Sequence, residues 1–286
     1  MKTYQDFAAV GEDEKARMSF ILGAINEYKA DHSTRLAANA NKYYHGENPT
    51  INKYEKIIYD LQGKAHRDMY TANHKIASKF FGFVVDQEVS YLLGNGVSFQ
   101  KPETEKALGA TFDEDIMDAA RHALIDGQSF VFWNLDHVQV FAAEEFVPLY
   151  DEEDGSMKAG IRFWQVADNK PLRATLYELD GYTEYQKPKS DDMAILKPKR
   201  AYKLKLRTSE ADGTEIYDGE NYPGFPIIPL KNGEQAHSEL QGRQNTIDAL
   251  DLASSNMVNN VDEGFQSTHP ARGGTISIHP FWHSMI

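Results

Sequence analysis

Residues 174–185 read ATLYELDGYTEY. The runs on either side of Asp180-Gly181 are rich in the aromatic and β-branched side chains that strands favour. An Asp-Gly pair between two such runs is a strong signal for a tight β-hairpin turn. The stretch therefore predicts two antiparallel strands joined at that turn.

Strand-like runs continue on both sides of this hairpin. Ala201–Arg207 alternates between apolar and charged side chains, which predicts a strand with one face in solvent. Pro223–Leu230 contains three prolines, so it predicts an edge strand or an extended connector. Further antiparallel pairs are predicted for Phe130–Trp133 with Val138–Phe141, and for Phe146–Tyr150 with Gly160–Val166. Residues 129–237 are thus predicted to form a meandering antiparallel sheet.

Helical periodicity dominates the first third of the chain and returns near its end. Apolar residues recur at helical spacing over residues 12–30, 33–45, 73–93, 113–126 and 238–262. Asn73 is the predicted N-cap of the third helix. Phe83 and Tyr91 broaden the apolar surface of that helix, so we expect it to be buried on more than one side. The predicted fold class is α+β: a helical N-terminal third, a meandering antiparallel β-sheet and a C-terminal helix.

The charge of the chain is concentrated in one acidic block, residues 101–154. The 286 residues include 30 Lys and Arg against 43 Asp and Glu, a formal net charge of −13. The acidic block alone holds 14 acidic and 3 basic side chains, which is −11. Because affinity for duplex DNA comes largely from neutralising phosphates, this balance argues against tight DNA binding by the whole surface. It fits a solvated face, a cation site, or a wall past which polyanions slide.

Motifs that carry enzyme chemistry are absent from the sequence. It contains no P-loop, no dinucleotide fingerprint, no nucleophile elbow and no compact His spacing for a metal. It has no cysteine, which excludes disulfides and a thiolate nucleophile, and no apolar stretch of membrane-spanning length. One enzymatic alternative stays open, a metal-dependent hydrolase that uses the acidic block. Its candidate ligands are Asp113, Glu114, Asp115, Asp118 and Asp151–Asp154.

Four short segments stand out by their order along the chain. Residues 43–51 read YYHGENPTI, and residues 84–94 read VVDQEVSYLLG. Residues 225–234 read FPIIPLKNGE, and a helical segment follows with SEL at 238–240 and TIDALD at 246–251. In order and spacing these segments resemble the YY-G-x-x-P-I, VD-x-x-V-x-Y-L-x-G, IPIIPF-x-N-N-E and S-D-L…LIDAYD motifs of tailed-bacteriophage portal proteins.

The resemblance implies a structural subunit of the head–tail connector, a ring at one capsid vertex. Such rings usually contain twelve full-length copies, and double-stranded DNA passes through the channel, without tight binding, during packaging and ejection. The implied partners are further copies of the chain, the terminase, capsid and scaffold proteins, and a head–tail adaptor, with no membrane. The implied location is the virion, with assembly in the host cytoplasm. Another capsid or tail adaptor protein stays open as a further alternative.

The resemblance also implies no enzyme, no catalytic residue, no cofactor and no metal, and it does not identify which residues face the DNA channel. It divides the chain into consecutive segments. Residues 1–128 and 129–237 are the expected helical and β parts of a wing-like domain, and residues 238–264 begin a stem-like helix. Acidic residues and periodicity are lost after Gly264. We therefore expect residues 265–286 to be a tail unrelated to the family, produced by truncation, frameshift or insertion in the coding region.

Overall fold

The hairpin predicted at 174–185 is present in the computed structural model, which describes residues 1–189, 192–208 and 215–268. Its strands are Leu172–Glu178 and Gly181–Lys187, and Glu178 pairs with Gly181 across the turn. Gly181 has a φ of 138°, a backbone conformation that glycine adopts without strain. The Asp-Gly signal therefore located the turn correctly.

Helices precede, interrupt and follow the strands along the described residues. The helices are α1 (Tyr4–Val10), α2 (Glu14–Ala30), α3 (His32–Tyr44), α4 (Pro49–Lys53), α5 (Phe80–Leu93), α6 (Pro102–Leu108), α7 (Phe112–Asp126) and α8 (Gln244–Thr268). The strands are β1 (Ile57–Tyr59), β2 (Ala65–Arg67), β3 (Gln128–Asn134), β4 (His137–Ala142), β5 (Phe146–Tyr150), β6 (Met157–Trp164), β7 (Leu172–Glu178), β8 (Gly181–Lys187), β9 (Ala194–Arg200), β10 (Lys203–Thr208), β11 (Glu215–Glu220) and β12 (Ile227–Lys231). The α+β fold class is confirmed.

Strands β5 to β9 form a five-stranded antiparallel meander. Helices α1 and α2 pack on β5 and β6. Ile21 and Ile25 of α2 contribute to a core with Leu149, Ile161 and Leu176 of the sheet, and each of these side chains is at most 1% exposed. Burial of this apolar surface is the main force that holds the helices on the sheet.

A second sheet has the order β12-β3-β4, and β10 pairs with β11 in a third. Strand β12 is an edge strand, as its prolines predicted. The β region is therefore divided among three sheets rather than the single meander predicted. A 3-10 turn at Ala143–Glu145 redirects the chain between β4 and β5, so β5 pairs with β6 and not with β4.

Aromatic side chains fill the core beside the second sheet. Phe130, Phe141 and Phe146 are fully buried, and the rings of Phe130 and Phe146 have centroids 4.4 Å apart. The Phe146 ring lies directly over Gly160, where an added Cβ would overlap it. Gly160 is therefore needed for the close approach of the ring to strand β6.

Helix α7 confirms the helix predicted at 113–126. It ends at Gly127, whose φ is 91° and whose backbone N–H donates to the carbonyl of Ala123 at 2.9 Å. This is the left-handed C-terminal cap that glycine favours. Helix α7 packs on α3, α5, β3 and β4, so it links the helical part of the fold to the second sheet.

The helix predicted over 73–93 is wrong in its first third. Helix α5 begins only at Phe80, and residues 74–78 are extended. The expectation that this helix is buried on more than one side is also wrong. Phe81, Val85 and Val89 form one buried face, whereas Phe83 and Tyr91 are 57% and 89% exposed.

The chain divides into two compact units that are not consecutive in sequence. Unit 1 contains residues 1–46 and 79–243, and unit 2 contains residues 47–78 with the chain from Gln244 onward. Within unit 2, α4 packs on α8, and residues 74–78 are hydrogen-bonded to it. Within the described ranges, no helix has the length and apolar character that crossing a membrane requires.

Candidate functional site

Helix α8 buries a polar stripe. Asp251, Ser255 and Asn259 follow one another at intervals of four residues and are 0%, 4% and 2% exposed. Residues four apart lie on the same face of a helix. Burial of polar side chains is costly unless each one is hydrogen-bonded, so this face of α8 requires partners of matching polarity.

The partners are backbone N–H groups of the extended segment 74–78, which we call the strap. Asp251 Oδ1 accepts from the N–H of Ser78 at 3.1 Å, and Ser255 Oγ accepts from that of Ile76 at 2.9 Å. Asn259 Oδ1 accepts from the N–H of His74 at 2.6 Å. Four helical residues rise about 6.0 Å and two extended residues about 6.6 Å. Because these two distances are similar, every fourth residue of α8 places an acceptor opposite the N–H of every second residue of the strap.

Asn48 adds a second connection to this stripe. Its Oδ1 accepts from the backbone N–H groups of Thr50 and Ile51 and so caps α4. Its Nδ2 donates to Asp248 Oδ1 at 2.9 Å and to Asp251 Oδ2 at 2.8 Å. The buried carboxylate of Asp251 therefore joins α4, the strap and α8.

A second face of α8 is apolar and exposed. It consists of Leu250, Met257, Val258 and Val261, which are 47%, 71%, 39% and 51% exposed and which we call the apolar stripe. A helix of a globular domain normally has the reverse arrangement, with its apolar face buried and its polar face in water. The arrangement in α8 indicates an interaction surface.

Residues 56–67 of unit 2 form the second exposed apolar feature, which we call the hairpin arm. Among the described strands, β1 and β2 pair with each other and with no other strand, and every residue in them is exposed. The exposed fractions are 55% for Ile57, 42% for Ile58, 70% for Tyr59 and 100% for Leu61. An isolated two-stranded hairpin is marginally stable in water, and the arm has little packing of its own to support it.

The acidic block lies on several separate elements of unit 1. Asp113 accepts from the N–H of Val97, and Asp118 pairs with Arg121 on the same helix. Asp151 accepts from the side chain of Gln5, and Asp154 pairs with Lys158. These carboxylates make local structural contacts instead of converging on one point.

A metal-dependent hydrolase requires several ligands around one ion. Over residues 1–189, 192–208 and 215–268, no group of three or more His, Asp or Glu side chains is placed to hold a metal. The convergence that this alternative requires is therefore not found among the described residues.

One buried polar cluster lies where α3, α7 and the 3-10 turn meet. Asn41 Nδ2 donates to Asp126 Oδ1 and to Glu144 Oε1, both at 2.6 Å. Burial and the nearby Asp126 raise the pKa of Glu144. His122 Nδ1 lies 3.4 Å from Asp126 Oδ2, and that carboxylate raises the pKa of His122 above its usual value. The cluster therefore brings the carboxyl groups of Asp126 and Glu144 close together. The Asn41 amide bridges them, and the His122 imidazole lies beside Asp126.

The helical spacing of the polar stripe was present in the sequence. Sequence analysis considered only the apolar periodicity of this helix and did not identify the stripe. Leu250 and Met257 contribute to the apolar periodicity that predicts a helix over 238–262, and the structure leaves both exposed. The spacing of Asp251, Ser255 and Asn259 is equally helical. The predicted tail at 265–286 lies largely outside the described residues, since the description ends at residue 268, and α8 continues through Gly264 to Thr268.

Comparison with known proteins identifies the family of the chain. The model of the SPP1 Gp6-like phage portal proteins matches residues 25–273, nine residues past Gly264. The portal protein of Bacillus phage SPP1 is 22% identical over 249 residues, which covers 82% of this chain and 48% of that protein. The chain thus spans about half the length of this curated relative. Because the family model matches most of its residues, the chain belongs to the SPP1 Gp6-like family of phage portal proteins.

Proposed function

We propose that this chain is a structural subunit of a portal ring at the vertex of a tailed-phage capsid. The observation that carries the proposal is the family match over residues 25–273. The inverted polarity of α8 supports it, because a helix with an exposed apolar stripe is suited to packing against another subunit.

In this role, residues 1–237 are the wing-like part, in which the aromatic and aliphatic cores hold the sheets rigid, and α8 begins the stem-like helix. The implied partners are other copies of the chain, usually twelve per ring for a full-length subunit, together with terminase, capsid and scaffold proteins and a head–tail adaptor. The subunit works in the virion after assembly in the host cytoplasm.

The charge of the chain supports passage of DNA without tight binding. Residues 244–268 contain no Lys or Arg, and three of their four acidic residues, all but the buried Asp251, are partly exposed. A surface of that sign repels phosphates and cannot gain affinity by displacing their counterions. A channel that must let DNA move in both directions needs a wall of this kind.

Native mass spectrometry of the purified full-length gene product over a range of concentrations, followed by negative-stain microscopy, tests the ring. The expected result is one closed oligomer with a fixed subunit number and a central hole. A monomer at every concentration and salt, or an open-ended series of masses, would contradict the proposal.

A further inference from the structure

The hairpin arm and the apolar stripe are two unlike surfaces on the same unit. We propose that the arm of one copy packs on the apolar stripe of the next copy, an inference that rests on the ring of the proposed function. A cyclic ring of three or more copies is built from head-to-tail contacts, in which each subunit presents two different surfaces. Unit 2 presents two such surfaces.

Stability is the first argument for a second copy. A two-stranded hairpin with all its strand residues exposed gains little from its own side chains, and a hydrophobic partner surface is the usual remedy. The apolar stripe of α8 offers one. Docking would remove apolar side chains of both surfaces from water in a single contact.

Area is the second argument. Tyr59 is 70% exposed, and Tyr70, which follows β2 closely, is 77% exposed. These two side chains alone expose roughly 200–350 Å². Four further side chains, each at least 42% exposed, add to this surface: Ile57, Ile58, Leu61 and Met69. The exposed apolar area then reaches the order of the ~800 Å² that each partner contributes to a standard interface.

Charge is the third argument. Residues 56–70, which supply the exposed apolar surface, contain Lys56, Lys64 and Arg67 against Asp60 and Asp68, whereas residues 244–268 contain four acidic residues and no Lys or Arg. Lys56 already pairs with Glu263 of its own chain at 3.1 Å, so the comparison concerns the net charge of the two surfaces. Asp60 is also engaged by His66 at 3.0 Å inside the arm. Opposite net charge favours contact between the arm of one copy and α8 of the next. Like charge disfavours contact between the α8 helices of two copies.

Directed cross-linking tests the pairing, because the chain has no cysteine of its own. We would mix Tyr59→Cys chains with ¹⁵N-labelled Met257→Cys chains under mild oxidation and count mixed dimers by mass. Both positions are exposed, so neither change disturbs a core. The matched control replaces the arm cysteine by Val166→Cys, a residue of unit 1 that is 79% exposed.

We expect the arm–stripe pair to form mixed dimers at least tenfold faster than the control pair. A rate equal to the control would overturn the arm–stripe contact. Faster Tyr59–Tyr59 or Met257–Met257 dimers would overturn it in favour of a symmetric contact between like surfaces.

Cross-linking together with native mass spectrometry distinguishes failure of this inference from failure of the proposed function. A closed ring by native mass spectrometry with no preference for the arm–stripe pair leaves the ring intact and rejects the contact. Preferential mixed dimers without a closed ring support the contact and reject the ring.

Discussion

The two units of the molecule differ in the side chains that their main packing surfaces bury. The five-stranded sheet of unit 1 buries Ile161 and Leu176 completely, next to a cluster of phenylalanines. Helix α8 of unit 2 buries Asp251, Ser255 and Asn259 and leaves Met257 and Val261 exposed. Unit 1 is therefore stabilised mainly by its own apolar core, whereas α8 of unit 2 is held to the strap by hydrogen bonds and leaves its apolar stripe in solvent.

Removal of a core ring tests the first half of this comparison and should have the largest effect. Phe146→Ala deletes a fully buried ring that packs on Phe130 and Gly160. We expect the free energy of unfolding to fall by about 3–5 kcal/mol, measured by urea denaturation. Val166→Ala, at a highly exposed position, is the control and should change it by no more than about 0.5 kcal/mol. An equally small loss for Phe146→Ala would contradict an apolar core.

Removal of the most buried acceptor of the polar stripe tests the second half of the comparison. Asp251→Ala leaves the N–H of Ser78 without its acceptor and removes one of the two acceptors of Asn48 Nδ2. Each buried donor left unpaired costs about 1–3 kcal/mol. We expect faster hydrogen exchange in a peptide that covers the strap and unchanged exchange in the sheet of β5 to β9.

Asn260→Ala is the control for that variant, because Asn260 lies on the same helix with its side chain exposed. Strap exchange that is equally fast in both variants would show that the buried hydrogen bonds do not hold the strap on α8.

The buried cluster of unit 1 gives a smaller effect that depends on pH. The folded protein holds the His122 proton more tightly than the unfolded chain does, because Asp126 raises the pKa of His122. The stabilisation that this pKa shift contributes is complete below about pH 6.5. It is lost as the pH rises through the raised pKa of His122. The raised pKa of Glu144 acts in the same direction at lower pH.

Urea unfolding at pH 6 and pH 8 measures this dependence. We expect greater stability at pH 6, with the difference reduced in His122→Gln and retained in the control His237→Gln, which changes an exposed histidine. A His122→Gln variant with the full difference would show that another group is responsible.

Features with local signals were predictable from the sequence. The Asp180-Gly181 turn, helix α7 with its cap at Gly127, and the proline-bearing edge strand β12 all depend on residues close in sequence. The start of the last helix was predicted at Ser238, but it lies at Gln244. Gly242 has a φ of 82°, which no α-helix contains.

The strap was not predictable because its partners are distant in sequence. Asn73 and the apolar residues after it favour a helix locally, but the N–H groups of His74, Ile76 and Ser78 are bonded by side chains more than 170 positions later. For the same reason the apolar periodicity over 238–262 did not show which face of α8 is exposed. Only the position of the strap shows which face of α8 is covered.

Hydrogen exchange of the dilute and the assembled chain tests the central claim, that unit 2 keeps its apolar surface for a second copy. We predict that peptides from the hairpin arm and from residues 250–261 gain protection on assembly, while peptides from β5 to β9 exchange equally in both states. Protection confined to the sheet, with the arm and α8 unchanged, would contradict the account.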